Sequence, residues 1–567
     1  MKHGGLDTIY GVLLVGAALA GCGSPSRAQA GQTDIRSRDE LVAEGIRTRI
    51  EGTDAAAGLR AGGEPIYESV VLPSFYERRL YRPAWRDEGG PTPLADDLVG
   101  ALRRADLEGL RSQDYHLAGI EALLAAVRAD AKNGLAIGAD RWAELDLLLT
   151  DAFLVYGAHL LAGRVNPATL RPEWLSHRRS ADIAAVLEAA LASGNVSGAL
   201  ETLVPPQPGY RRLREALAHY RVVAASGGWP AIPVRSRLRR GDRGPAVAAL
   251  RERLRLEDGV GIEHDGDLFD ETLEQALKTF QRRHGLAADG AVSAATRAEL
   301  NVRAERRVEQ LELNLERWRW LPKDLGRRHI IVNIAAFELE VVNEETVVLA
   351  MRVVVGRLYN RTPVLSDTVR YIVLNPYWHV PRSIAAGEIL AKVRQDPSYL
   401  ARSKLRVFPI SGPDAREVDP ATVDWSVITS ADFPFRLRQD PGPLNALGHL
   451  KFMFLNKFNV YLHDTPARPL FEETQRDFSH GCIRIQQPIE LAVYLLRQDP
   501  RWNRDALLRA LDTAVDRTVP LPEPMPIHLL YWTAWADEDG TIQFRRDIHG
   551  RDAPLLTALR APPPSKE

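Results

Sequence analysis

A multidomain α+β chain is predicted, with helical units first and a β-rich unit interrupted by an insertion last. The length of 567 residues exceeds what one core normally serves. Apolar residues recur at three- and four-residue spacing through 65–223, and three short helical patterns follow within 235–302. After Arg328 the period changes. Residues 329–334, 338–342, 347–355 and 371–374 are β-branched runs separated by polar turns. A hydrophobic fraction of 45% and a charged fraction of 26% are those of globular protein. The formal net charge of −1 provides no polycationic surface, so no nucleic-acid partner is expected.

The first residues read as an export signal, with Lys2 and His3 before an apolar core at 9–20. The core ends in Leu19-Ala20-Gly21-Cys22, which resembles a bacterial lipobox. Processing of such a signal (1–21) leaves Cys22 acylated and the mature chain anchored in a membrane. Ser24, with Gly23 rather than aspartate before it, favours the outer membrane of a periplasm over the inner one. Residues 22–63 are polar and rich in Gly, Ala and Arg, and read as a flexible tether. No later segment reads as a membrane span. The best candidate, 145–161, carries Asp146, Asp151 and His159 and is expected to be a buried helix.

Residues 64–230 form the first helical unit, whose longest helix is expected over 140–163. A Gly-Asp turn at Gly241-Asp242 opens the second unit, 235–302. Phe269-Asp270 starts its middle helix, with Ala276, Leu277, Phe280 and Gln281 on one face. Arg306 to Pro322 is one more helix. The β-rich unit spans 328–520. Residues 383–448 interrupt it with a helix at 384–394, several prolines and a charged aromatic stretch. Tyr377 and Trp378 wall a cleft or join the core. Residues 521–567 are an extension, with closing strands expected at 527–531 and 541–545 and disorder from Ala561.

Chemistry concentrates in Phe478-Ser479-His480-Gly481-Cys482-Ile483-Arg484 and the preceding Tyr461-Leu462-His463-Asp464-Thr465. The chain has two cysteines. If Cys22 is lipidated, Cys482 is a lone exported thiol without a disulfide partner, and nucleophilic chemistry is the reason to keep one. A neighbouring imidazole accepts a thiol's proton, and His463 ends an apolar run that reads as a strand beside that of Cys482. Gly481 lets backbone approach a substrate, and the Gly481 and Cys482 amides are candidate oxyanion donors. Arg484 holds a carboxylate or braces the turn. Two other readings stand beside this one: Cys482 as an inert buried hydrophobe, and His463, His480 and Cys482 as zinc ligands.

The Ser-His-Gly-Cys-Ile-Arg run with its upstream histidine resembles the active-site signature of the L,D-transpeptidase (YkuD) catalytic domain. The flanking residues Tyr461 to Pro466, Phe478-Ser479 and 375–381 look like the large YcbB type. The resemblance implies Cys482 as nucleophile and His463 as general base, with Ser479, His480, Gly481, Arg484 and Tyr461 shaping the site. It implies no metal or organic cofactor. Residues 64–230 resemble that type's helical scaffold, which returns at 303–325 and so encloses 235–302. The opening of 235–302 and its Phe280-Gln281, Gly285-Leu286 and Asp289-Gly290 pairs resemble a peptidoglycan-binding module. The insertion resembles a cap over the active site. The implied reaction releases D-alanine from a tetrapeptide stem and joins two stems by a 3→3 crosslink through a cysteine thioester. Partners implied are peptidoglycan stems and glycan, with other cell-wall synthesis proteins as candidates, and the thiol becomes a carbapenem target. Water, a free D-amino acid or a protein lysine are alternative acceptors. A non-catalytic wall-binding lipoprotein is the reading from another class.

Overall fold

The computed structural model describes residues 37–563 except 53–57, 88–89, 134–137, 171–173, 176–177, 233–236, 259–265 and 411–415. The signal 1–21, the lipidation site Cys22 and residues 23–36 lie outside the described residues.

The tether expectation is corrected at its C-terminal half. Arg38–Glu51 is a helix, opened by a capping box between Ser37 and Glu40. It buries only Val42 and Ile46 completely. Gly45 packs so closely on the next helix that a Cβ there would meet Ala143 Cβ at 3.2 Å. Two apolar residues four apart in a charged run suffice because Ala139–Ala162 provides the facing surface.

Ala139–Ala162 is the central helix of the first unit, and 16 of its 24 residues are buried. It extends beyond 145–161 and is, by length and composition, apolar enough to cross a membrane. It instead lies inside the helical core with Phe75, Tyr76, Trp85, Leu98 and Leu124. Its two buried acids are satisfied by local partners. Asp146 accepts from Tyr76 Oη (2.6 Å) and from the Ala84 and Trp85 amides. Asp151 accepts from the Tyr67 and Glu68 amides and from His116 Nε2 (2.7 Å), whose Nδ1 meets Glu64 (2.5 Å).

Pro245–Asp258, Glu271–Arg283 and Ala294–Leu300 form a three-helix unit around Val247, Leu250, Leu254, Leu273, Leu277 and Phe280. Ala304–Arg319 then returns to pack on Pro208–Ala225 through Leu311, Leu315 and Trp318 against Tyr210, Leu213 and Leu217.

The β-rich unit is a mixed sheet that closes on itself. Its order is Leu450–Phe454, Leu462–His463, Ile483–Ile485, Thr346–Gly356, Glu338–Asn343, Arg328–Asn333, Arg517–Leu530 and Val364–Leu374, which pairs back to Leu450–Phe454. Closure leaves an interior filled by Ile330, Val332, Val341, Val353, Ile372, Phe452, Leu462, Ile483 and Ile527. Pro488–Leu496 covers it through Leu491, Ala492 and Leu495. Three expectations for the C-terminal region are corrected. Arg517–Leu530 is one strand, so the sheet continues past the boundary expected at 520. Ile542–Phe544 pairs with Ala534–Ala536 and packs on Pro208–Ala225 instead of closing the sheet, because Ala534 and Phe544 find their apolar partners on the helices. Ala561 is held by Arg111 and Arg164, both bonded to its carbonyl, so disorder does not begin there, and 564–567 of the expected tail lie outside the described residues.

The insertion expected over 383–448 is built on residues 378–439, a correction of both bounds. Trp378–His379, Phe435–Gln439 and Leu405–Pro409 form a small sheet. The expected helix is broken into Arg382–Ile384, a π-turn at Ala385–Ile389 and Leu390–Gln395. Ile389, Leu390, Val393, Val407, Trp425, Phe433 and Leu437 give it a core of its own. Trp378 packs against that core, and Tyr377 stays exposed beneath Arg438.

Candidate active site

Leu462–His463 runs parallel to Ile483–Ile485, with Leu462 beside Ile483 and His463 beside Arg484. The Ile483 amide donates to the Tyr461 carbonyl (3.1 Å), so the histidine strand and the turn bearing Cys482 are adjacent. Gly481 stands at φ +112°, where a side chain would be strained. The opposing Gly356 is needed for close approach, since a Cβ there would meet Gly481 Cα at 3.0 Å.

Ser479 and Thr362 lock this turn. Ser479 Oγ donates to the Cys482 carbonyl (2.6 Å) and accepts from the Gly481 amide (3.1 Å). Thr362 Oγ1 donates to the Gly481 carbonyl (2.9 Å) and accepts from the Gly356 amide (2.9 Å). The expected free Gly481 amide is therefore corrected: Ser479 takes it to fix the turn. Among the described residues nothing accepts from the Cys482 amide, which remains the donor available to an oxyanion.

His463 is 5% exposed. Its Nδ1 lies 2.5 Å from the Asp464 carbonyl oxygen, which can only accept, so Nδ1 carries the proton and Nε2 the lone pair. Burial first, then the Arg484 guanidinium, pushes its pKa down to about 3, so the ring is neutral. Asp464 does not touch the ring through its carboxylate. It accepts from the His449 amide (2.9 Å) and pairs with Arg468 (3.3 Å), bracing the strand end.

The Cys482 thiol is partly exposed and lies 3.9 Å from the Asn459 carbonyl. Burial pushes its pKa up; the Tyr461 amide and hydroxyl, with the Lys451 and Arg484 cations, pull the other way. Tyr461 sits edge-to-face on His463, 5.7 Å between ring centroids. Arg484 does not brace the turn. No described residue accepts from its guanidinium, and its Nε is buried without a partner.

His480 bonds the insertion. Its Nε2 meets Glu388 Oε1 on the π-turn at 2.6 Å, and Arg357 lies 3.4 Å from the same nitrogen and 3.6 Å from Glu388. The described residues hold no group of three His, Cys, Asp or Glu side chains arranged for a metal ion. Sequence reasoning missed Thr362, Glu388, Arg357 and Lys451. Only Lys451 left a signal, as the one charge in a strand that alternates Leu450, Phe452, Phe454 inward.

Three family models match in order. A "Scaffold domain" covers 71–217, a "Putative peptidoglycan binding domain" covers 243–300 and an "L,D-transpeptidase catalytic domain" covers 327–502. A Haemophilus influenzae protein described as "Putative L,D-transpeptidase" is 34% identical over 251 residues, which is 44% of this chain and 50% of that protein. The match thus spans about half of the relative's length. Among solved structures, an L,D-transpeptidase from Mycobacterium smegmatis is 14% identical over 36% of this chain and 58% of its own, with a TM-score of 0.17. L,D-transpeptidase 3 from Mycobacterium tuberculosis in complex with a faropenem-derived adduct is 15% identical over 36% of this chain and 60% of its own, with a TM-score of 0.17.

Proposed function

We propose that this chain, a member of the L,D-transpeptidase family with a YkuD-type catalytic domain, joins peptidoglycan stem peptides by 3→3 crosslinks through a Cys482 thioester. The observation that carries the reading is the neutral His463 ring, with Nδ1–H bound to a carbonyl and an unprotonated Nε2, on the strand beside Cys482. Thiol and imidazole both start uncharged, so proton transfer accompanies attack. As the Sγ–C bond forms at the carbonyl of the diamino acid's L-centre, the thiol proton moves to His463 Nε2. Negative charge develops on the carbonyl oxygen, which takes the Cys482 amide as donor. The C–N bond then breaks, His463 returns the proton to the departing nitrogen, and D-alanine leaves. In the second half the side-chain amine of another stem attacks the thioester. His463 takes its proton and passes it to the departing sulfur, which regenerates the thiol. The unpartnered Arg484 guanidinium is suited to a stem carboxylate.

The cap favours a large acceptor by excluding water from the acyl-enzyme. Incubation of the chain with disaccharide-tetrapeptide tests the reading. A thioester mass, free D-alanine and a dimer are expected, and all three vanish in Cys482→Ala. Tripeptide and D-alanine without dimer would replace transpeptidation by hydrolysis, and no thioester at all would favour a non-catalytic wall-binding role. A carbapenem is expected to add its whole mass at Cys482 by opening its lactam. The three-helix unit is taken to contact glycan, and Cys22 to hold the chain at a membrane facing the periplasm. Cys22→Ala is then expected to move the protein from the membrane to the soluble fraction, and unchanged fractionation would remove the anchor.

A further inference from the structure

Lys451 stands directly opposite His463 across the antiparallel pair Leu450–Phe454 and Leu462–His463. Directly opposed residues share a face of the sheet, so Lys451 and the imidazole project to the same side. The lysine is half-buried, and its Nζ lies 3.9 Å from the centroid of the Tyr461 ring. That ring meets His463 by its edge, and the Tyr461 amide and hydroxyl favour the charged form of Cys482. Lys451 forms no ion pair among the described residues, where exposed lysines usually find water and buried ones a carboxylate. A partly desolvated ammonium resting on an aromatic face, with Asp516 attracting it but making no ion pair, favours a further anion close by. The site generates one, on sulfur.

We propose that Lys451 is a positioning residue for the nucleophile: its ammonium, seated on the Tyr461 ring, favours the thiolate of Cys482 and strengthens the Tyr461 hydroxyl as a donor to it. The inference rests on Cys482 being the nucleophile: the Lys451 charge favours the negative charge that gathers on sulfur as the thiol proton leaves. A buried imidazole supplies no positive charge, so the field at the sulfur comes from Lys451 on one strand and Arg484 on another. The other charges facing Lys451 are Asp516, which attracts it from the start of Arg517–Leu530, and His379 on the cap sheet, whose protonation it opposes. If Lys451 only packs, its alkyl stem covers the Tyr461 ring and its charge is idle.

The test reads the thiol directly. The full chain is alkylated with iodoacetamide between pH 5.5 and 10 without substrate, and the adduct is located at Cys482 by peptide mass. Lys451→Met keeps the stem and removes the charge, and Lys451→Arg keeps the charge. The methionine variant is expected to move the midpoint of the rate profile up by about one pH unit, so that alkylation at pH 7 slows about tenfold. The arginine variant is expected to stay within about twofold of the parent chain. A methionine profile superimposed on the parent's overturns the proposal. Equal displacement of both variants with a lowered melting temperature assigns Lys451 to packing and also overturns it. The profile is independent of crosslinking, so a parent chain that makes no dimer while the methionine shift is seen refutes the proposed function and leaves this inference standing.

Discussion

At Cys482 and His463 the surrounding field sets the protonation states before any substrate arrives. His463 has a folded pKa of about 3 against an ordinary value near 6.5, so the unfolded chain binds the proton more tightly. The contribution of His463 to stability is therefore fully present above about pH 6.5 and is lost as pH falls from there toward 3. Thermal unfolding between pH 7 and 4.5 is expected to show this loss, with His463→Gln flattening the dependence by about 1 kcal/mol per pH unit. An unchanged slope would mean that the ring is not buried neutral. The same depressed value leaves the base unprotonated across pH 5–8, so kcat/KM is expected to show no acid limb from His463 in that window. Cys482→Ala is expected to abolish the thioester with a melting temperature close to the parent's, because the thiol is partly exposed and its contact with the Asn459 carbonyl is long. Residue type, a preceding glycine and a strand-ending histidine singled the pair out in the sequence, but left an inert thiol or zinc ligands open, and only the resemblance to L,D-transpeptidases chose between these readings. The function of Ser479 was not. Its oxygen serves the Gly481 amide and the Cys482 carbonyl at once, and spacing does not reveal which local partner a serine chooses.

At the level of elements, the π-turn Ala385–Ile389 interrupts the regular helix of the insertion. A wide turn in a helix re-aims the side chains it carries, and here Glu388 reaches His480 and Arg357 beside the turn that bears Cys482. Among the described residues that contact ties the insertion to the thiol loop. Glu388→Ala is expected to accelerate labelling of Cys482 by a bulky maleimide severalfold and to leave iodoacetamide labelling nearly unchanged. Equal rates for both reagents in variant and parent would show that the tie does not govern access. Each partner is a quarter or more exposed, so little effect on overall stability is expected. The change from helical to β-type sequence after Arg328 announced the class of the last unit, because strand alternation and helix spacing differ by direct geometry. The helix Arg38–Glu51 was not announced. Its apolar face has two fully buried residues and takes its stability from Ala139–Ala162, a partner about ninety residues away.

In the whole molecule the three-helix unit is locked to its neighbours by buried charge. Glu257 is buried with Arg283 at 2.9 Å, bonds Arg253, and accepts from Tyr220 Oη (2.9 Å) on Pro208–Ala225. Burial opposes its charge, yet Arg253 and Arg283 hold its carboxyl well below the usual carboxylate range. His284 stacks between Phe280 of its own unit and Phe544 of the C-terminal hairpin, and Arg307 of the returning helix bonds Glu299 (2.5 Å). Three separate stretches of chain thus meet at one ionic cluster. Sequence periodicity, which reads each helix alone, carries no trace of such a meeting. Removing one member of a buried pair leaves the others uncompensated at about 3–5 kcal/mol. Glu257→Ala is therefore expected to lower the unfolding free energy by about that amount in urea titration and to detach the unit, so that one cooperative transition becomes two. A loss under about 1 kcal/mol with a single transition retained would show that apolar packing, through Tyr220, Phe280 and Phe544, holds the unit in place without the charges.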